Sequence, residues 1–275
     1  ARSYGFGQAE RVLGAFAKGR RDKVTITTKF GVMPPNLSLR TKVLIPIARQ
    51  VTKLVPSLKA RLKSKSGQML ADRNFDVVYA RKCLDQSLAE LGTDYIDIYL
   101  VHEPVQTSTV NPDELQRLME DSVKAGKIRR WGYALQAPSD YAWAAAWGGN
   151  VTQFEGNFAT LPVVGPLLGC TAQRIVTRPF SGGGDGSAGL EGAIKQLGLD
   201  IALNDMGASV ADVSLCVGRA LSGQRGSVLC SMFSIHHIQA NVQALSRFER
   251  DPRMEKVVSA VVQTFAGVPA ISPSA

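Results

Sequence analysis

Short runs of β-branched and apolar residues alternate along this chain with stretches in which apolar positions recur every three or four residues. Val24–Phe30 (VTITTKF) and Ile96–His102 (IDIYLVH) have the length and composition of buried strands. Ile128–Leu135, Val151–Phe154, Arg174–Thr177 and Gly226–Met232 read the same way. Between them, Ala80, Cys83, Leu84, Ser87, Leu88 and Leu91 fall on one helical face, as do Leu115, Leu118, Met119, Ser122 and Val123. Asn111 and Pro112 open the second of these helices as cap and first-turn residue, and Gly126 closes it. Gln8–Lys18, Ala208–Leu221 and Ser234–Phe248 are further helical stretches. Six strands separated by helices predict an α/β fold with a mainly parallel sheet, either open and doubly wound or closed as a (β/α) barrel. With no internal repeat and no linker, residues 1–275 read as a single domain.

Composition narrows this picture. At 275 residues, 45% hydrophobic and 20% charged, the chain buries a sizeable core and is not disordered or coiled-coil. The longest nearly apolar stretch, Ala159–Cys170, contains two prolines and is too short to span a bilayer. Four scattered cysteines without a CxxC pair suit reduced thiols and a cytoplasmic setting. Three histidines are too few for a His-rich metal site, and no metal is expected.

The net charge of +9 is concentrated locally. Between Gly31 and Ala71 there is no acidic residue, whereas Arg40, Lys42, Arg49, Lys53, Lys59, Arg61, Lys63 and Lys65 all lie there; the rest of the chain is left at +1. Pro46 and Pro56 break the apolar pattern of this segment into short pieces. It reads as a solvated basic excursion beside a pocket, or as an attractor for an anionic ligand or cofactor. With no aromatic residues interleaved, neither a nucleic-acid nor a membrane partner is expected.

Three residues could carry chemistry. Lys29 lies near the end of the first strand, His102 ends the second, and Tyr4 sits in the turn Tyr4-Gly5-Phe6-Gly7 before the first helix. In a parallel α/β fold the carboxyl ends of the strands line the active face, so Lys29 and His102 should share one mouth. A free phenol titrates near ~10, and a neighbouring ammonium lowers that value toward use as a proton donor. Taken singly, each has an ordinary structural reading: a snorkelling lysine, a hydrogen-bonded core histidine, a packing aromatic.

The motifs together are more specific. ARSYGFGQAERVLGAFAKGRRDKVTITTKFG is similar to the tyrosine turn, helix and lysine strand of the aldo-keto reductases, and SLAELGTDYIDIYLVHEP to their histidine strand. KAGKIRRWGYA and NVTQFEGNF resemble the next two strands, RPFSGGG and SMFSIHHIQANVQAL the two cofactor-binding segments. The resemblance implies a (β/α)8 TIM-type barrel and reduction of an aldehyde, ketone or sugar-type carbonyl by NAD(P)H, with NADP(H) ahead of NAD(H). It implies that Tyr4 is the general acid, that Lys29 lowers its pKa and that His102 orients the carbonyl. Gln153, Pro179, Phe180, Ser181, Gly182, Ser231, Ser234, His237 and Asn241 would contact the cofactor, and the partner is a small-molecule carbonyl compound.

The chain departs from the family pattern in places. It begins inside that pattern, so the first two strands, the first helix and the catalytic aspartate are expected upstream, and the 275-residue polypeptide by itself is expected to have little or no activity. Ala134 and Leu135 stand where many members carry a Ser-Asn pair for the carboxamide. Ser231 and His237 stand where the resemblance implies phosphate contacts that are usually Lys or Arg, and Ala240 replaces a common acid. Gly184–Gly189 matches GxGxxG, but in a glycine-rich stretch after five strands it reads as a loop, with Pro179–Gly184 over the cofactor pyrophosphate. The rival function is a cofactor-binding regulatory subunit or pseudoenzyme of the same fold.

Overall fold

The computed structural model describes residues 1, 3–33, 72–105, 111–170, 172–180, 185–230, 232 and 234–267. The basic segment from Arg40 to Lys65, and Ser181, Gly182 and Ser231, lie outside the described residues. Six strands run in chain order: β1 (Thr27–Phe30), β2 (Ile96–His102), β3 (Ile128–Ala134), β4 (Val151–Glu155), β5 (Gln173–Thr177) and β6 (Ser227–Leu229). Each pairs in parallel with the next, giving a single sheet ordered β1 to β6. The sheet is curled, an incomplete (β/α) barrel.

Helices make the crossovers. They are α1 (Ala9–Ala17), α2 (Val77–Leu91), α3 (Pro112–Lys124), α4 (Tyr141–Ala144), α5 (Gly165–Leu168), α6 (Asp185–Gln196), α7 (Asp200–Asp205), α8 (Val210–Ser222), α9 (Ile235–Arg250) and α10 (Pro252–Ala266). Asp76 caps α2 by accepting from the Val78 and Tyr79 amides, and Asn111 caps α3 by accepting from those of Asp113 and Glu114. The sequence reading passed over α10, although Asp251 caps it and Pro252 occupies its first turn. It also placed Asp185–Gly189 in a loop. Those residues instead open α6, so the GxGxxG match is not a phosphate-binding turn of the dinucleotide-fold kind.

Side chains alternate across each strand, and the two faces have different neighbours. The outer face packs against the helices in a large cluster that includes Tyr99, Val101, Leu115, Met119, Phe154, Val176 and Val217. The inner face holds a small cluster of Ile98, Leu100, Ala134, Val151 and Ile175. Register places Lys29 opposite Leu100, His102 opposite Ala134, and Ala134 opposite Gln153. Since Leu100 and His102 are two residues apart, Lys29, His102, Ala134 and Gln153 project from the same inner face. Among the described residues no helix is long and apolar enough to cross a membrane.

β1 begins three residues later than its β-branched run suggests. Upstream, polar side chains replace the ladder: Arg21 donates to the Val24 carbonyl, and the Ile26 amide donates to Asp97 Oδ2 at 2.8 Å. Asp97, at the amino end of β2, also pairs with Arg21 at 2.7 Å and Arg129 at 2.9 Å. Both guanidinium groups lie over the Tyr95 ring. Removing this buried carboxylate takes the acceptor from the Ile26 amide and one ion pair from each of Arg21 and Arg129. Asp97→Ala is expected to lower unfolding free energy by about 3–5 kcal/mol, read as a lower urea midpoint at unchanged m value.

Candidate active site

Tyr4 stands on a single 3-10 turn, Tyr4–Gly7. Gly5 and Gly7 have φ of 59° and 85°, which a β-carbon disfavours, and the reversal they allow aims the phenol at the sheet. Its hydroxyl is 3.3 Å from His102 Nε2, with the two rings edge to face at 5.5 Å between centroids. Lys29 Nζ lies 5.2 Å from the centre of the Tyr4 ring. Three side chains from positions 4, 29 and 102 therefore meet at the carboxyl end of β1 and β2. Tyr4 is 48% exposed, whereas Lys29 is 8% and His102 6% exposed.

Electrostatics follow from that burial. Burial, reinforced by the Lys29 charge, pushes His102 down to about 4, so its imidazole is neutral at pH 7. Burial lowers Lys29 to about 8, against the opposing effect of Glu103. Tyr4 is shifted upward, first by burial and then by the Glu103 carboxylate, with Arg178 acting in the opposite sense. The net shift of the phenol is therefore upward, and the charge that opposes it is that of Arg178.

The residues implied for a cofactor divide into two places. Gln153 is on the inner face, two strands from His102, and its Oε1 is buried with no hydrogen-bond partner among the described residues. An acceptor left open at such a place suits an amide donor from a ligand. His102 Nδ1 is likewise buried without a partner. Phe180, His237 and Asn241 line a cleft of about 340 Å³ with Ser209, Asp212 and Leu215. Asp212 there is paired with Arg247 at 3.2 Å. Ser234 caps α9, accepting from the His237 amide at 3.2 Å, and the Pro179 carbonyl accepts from Ser214 on α8 at 2.7 Å. The open acceptor at Gln153 has the chemistry to take an amide donor such as a nicotinamide carboxamide.

Four rim residues escaped the sequence reading. Arg73 pairs with Glu103 at 2.8 Å, and Arg178 with Glu155 at 3.1 Å. Charged residues immediately after strand ends, as in His102-Glu103-Pro104 and Thr177-Arg178-Pro179, are the signal that could have found two of them.

The sequence matches the Aldo/keto reductase family over residues 1–159. It is 30% identical over 133 residues to the 6-dehydroglucose reductase of Novosphingobium aromaticivorans, covering 47% of this chain and 32% of that protein. It is 27% identical over 169 residues to the aldo-keto reductase yakc [NADP(+)] of Schizosaccharomyces pombe, covering 60% of this chain and 40% of that one. The match thus spans about a third of the length of these curated relatives. In fold, the chain resembles the thermostable aldo-keto reductase Tm1743, with a TM-score of 0.63 at 15% identity over 94% of this chain and 80% of the other. An aldo-keto reductase from Klebsiella pneumoniae in complex with NADP and acetate gives a TM-score of 0.60 at 18% identity, over 98% of this chain and 80% of the other. With more than half of its length matched to the family model, this chain belongs to the aldo/keto reductase family.

Proposed function

We propose that the chain reduces an aldehyde, ketone or sugar-type carbonyl to the alcohol with a reduced nicotinamide cofactor, NADP(H) ahead of NAD(H), and that Tyr4 is the general acid. The observation that carries this reading is the approach of the Tyr4 hydroxyl to His102 Nε2 at 3.3 Å, with the Lys29 ammonium behind the ring. Relatives named for NADP(+) and NADPH, the latter an alpha-keto amide reductase of Saccharomyces cerevisiae, support the choice of cofactor.

The chemistry such a cofactor supplies when bound is hydride delivery to a carbonyl carbon. Gln153 would hold its carboxamide, and Pro179, Phe180, Ser234, His237 and Asn241 its remaining length; Ser181, Gly182 and Ser231 are assigned to it by resemblance alone. A carbonyl oxygen between Tyr4 and His102 takes a hydrogen bond from each. Tyr4 gives that oxygen its proton as the carbon is reduced, and the exposed phenol regains a proton from water. Lys29 contributes positive charge beside the tyrosinate left behind.

The pH profile follows from the same groups. Lys29 is charged below about 8 and His102 neutral above about 4. Reductive kcat/KM is expected to hold between those limits and to fall as pH rises through about 8, when the ammonium is lost. A rate still climbing past that point contradicts a supporting role for Lys29.

The test is a titration of the purified chain with NADPH and then NADH, followed by fluorescence, and then a panel of aldehydes. Oxidation of the bound cofactor by an aldehyde, at a low absolute rate for this polypeptide by itself, is the expected outcome. Ratios between variants of this same polypeptide are readable even at a low absolute rate. One observation favours a second reading, a cofactor-binding barrel that turns over poorly: Ala134 puts a bare methyl between His102 and Gln153 in register. Saturable binding with no oxidation under excess aldehyde assigns the chain to that reading.

A further inference from the structure

The helix that follows Tyr4 is anchored by a polar group. Only Glu10 and Ala17 of α1 are buried, and Glu10 lies in its first turn. Tyr4 is joined to that turn without a break: the Gln8 amide donates to the Tyr4 and Gly5 carbonyls, and the Val12 amide to that of Gln8. Glu10 is 3% exposed, and one carboxyl oxygen, Oε1, accepts from two hydroxyls. The first is Thr28 Oγ1 on β1, the residue before Lys29. The second is Ser87 Oγ on α2, at 3.0 Å. Thr28 and Ser87 are themselves buried.

Such a contact fixes position in a way that apolar packing does not. Hydrophobic burial has no direction, so a helix held by it alone keeps freedom to slide or roll on a sheet. A hydrogen bond sets both separation and angle. Acidic side chains are rarely buried this deeply, and an apolar residue of similar volume would fill the space without the cost of desolvating a carboxyl. One turn further along, α1 approaches α2 so closely that a β-carbon on Gly14 would overlap the Leu91 carbonyl. Glu10 with Ser87 and Gly14 with Leu91 are therefore successive contacts of the same two helix faces, and they fix α1 along its axis. Tyr4 needs such a fixture, because its side chain is half exposed and the core does not hold it.

We propose that Glu10 is a positioning residue for the reduction: by tying α1 to Thr28 and Ser87 it sets where the Tyr4 hydroxyl stands relative to His102 and Lys29. This rests on the reductase reading above. Glu10 acts from the outer face of β1, where Thr28 meets it, while Lys29, the next residue, projects from the inner face. Through Thr28 it joins the helix behind Tyr4 to the strand of Lys29. Through Ser87 it joins that helix to α2, which leads into β2 and His102.

The experiment uses the whole chain with three substitutions, each first checked for folding by circular dichroism. Glu10→Met fills the space without an acceptor, Glu10→Gln keeps an acceptor oxygen, and Thr28→Val removes one donor at nearly constant shape. Single-turnover oxidation of NADPH by 4-nitrobenzaldehyde should slow by about 10- to 100-fold in Glu10→Met, the loss expected when a reacting group is displaced by about 1 Å. The rate should fall less in Thr28→Val and recover for the most part in Glu10→Gln, while NADPH affinity, read by fluorescence, stays within about twofold in all three. A clamp with a purely structural role lowers the urea midpoint and leaves these rates alone. A parental rate in folded Glu10→Met, an equal loss in Glu10→Gln, or a loss of NADPH affinity in place of rate each overturns the proposal. Nitrogen NMR of His102 reads the same geometry without turnover, with Tyr4→Phe marking the signal when the contact is gone. A shift toward that signal in Glu10→Met supports the proposal, and the parental signal refutes it. If the parent chain reduces no aldehyde, the reductase reading fails and the NMR measurement still decides the clamp. If Glu10→Met does not fold, Thr28→Val replaces it in both measurements.

Discussion

Tyr4→Phe is expected to lower kcat for aldehyde reduction by about 10²- to 10⁴-fold, the range by which positioned general acids contribute. The substitution deletes one oxygen and leaves the ring to pack edge to face against His102 and beneath the Lys29 ammonium. Affinity for NADPH should therefore stay within about twofold, since the hydroxyl faces His102 rather than the Gln153 end of the site. A small loss of stability, about 1 kcal/mol, follows from leaving His102 Nε2 without its contact. Because Tyr4 is shifted upward, its phenol is protonated throughout the neutral range, and the loss in kcat should be the same at pH 6 and pH 7.5. Single-turnover oxidation of NADPH by an aldehyde measures it. A Phe variant that retains even a tenth of the rate excludes this tyrosine as the proton donor.

Gly132→Ala is expected to unfold the chain or cost more than about 4 kcal/mol. Gly132 lies in the middle of β3 in register with Val151, and a β-carbon built there overlaps the Val151 carbonyl. That obstacle is backbone, so no rotamer change relieves it, and β3 and β4 would have to separate. Two residues further on, the same pair of strands carries Ala134 and Gln153, so the clash would also dismantle the inner face at the cofactor end. Gly192→Ala provides the control. This glycine is exposed within α6 with nothing near its missing β-carbon, and there alanine should stabilise by about 0.5–1 kcal/mol. Circular dichroism with urea titration of the two variants reads both effects. Equal stability of the pair would mean that β3 and β4 are not packed as described.

Much of the scaffold could be read directly from residue pattern. Each of the six runs became a strand; one covered on both faces, as β2 is, needs no alternation and is recognised by composition and length. Helices with explicit punctuation, such as Asn111-Pro112 before α3, were legible to within a residue or two. The ends of β1 and β6 were not. The start of β1 depends on Asp97, far along the chain, capturing the Ile26 amide, and that of β6 on the turn at Gly223–Gly226.

The site divides in the same way. Residue type and position offered Tyr4, Lys29 and His102 only as candidates, and it was the motif resemblance that gave them roles and added Gln153 for the carboxamide. The sense of the electrostatics was not accessible. The balance of burial against neighbouring charge at a phenol depends on the fold around it, and here burial comes first and moves the phenol upward. The same limit hid the rim, because Arg73 meets Glu103 and Arg178 meets Glu155 only once strand register has brought their ends together. By itself the sequence determined the elements, their parallel order and the candidate side chains of the site, since those follow from local periodicity and motif. Tertiary structure alone decided distances, burial and the pairing of charges, because a Coulomb or desolvation effect depends on separation in space and not along the chain.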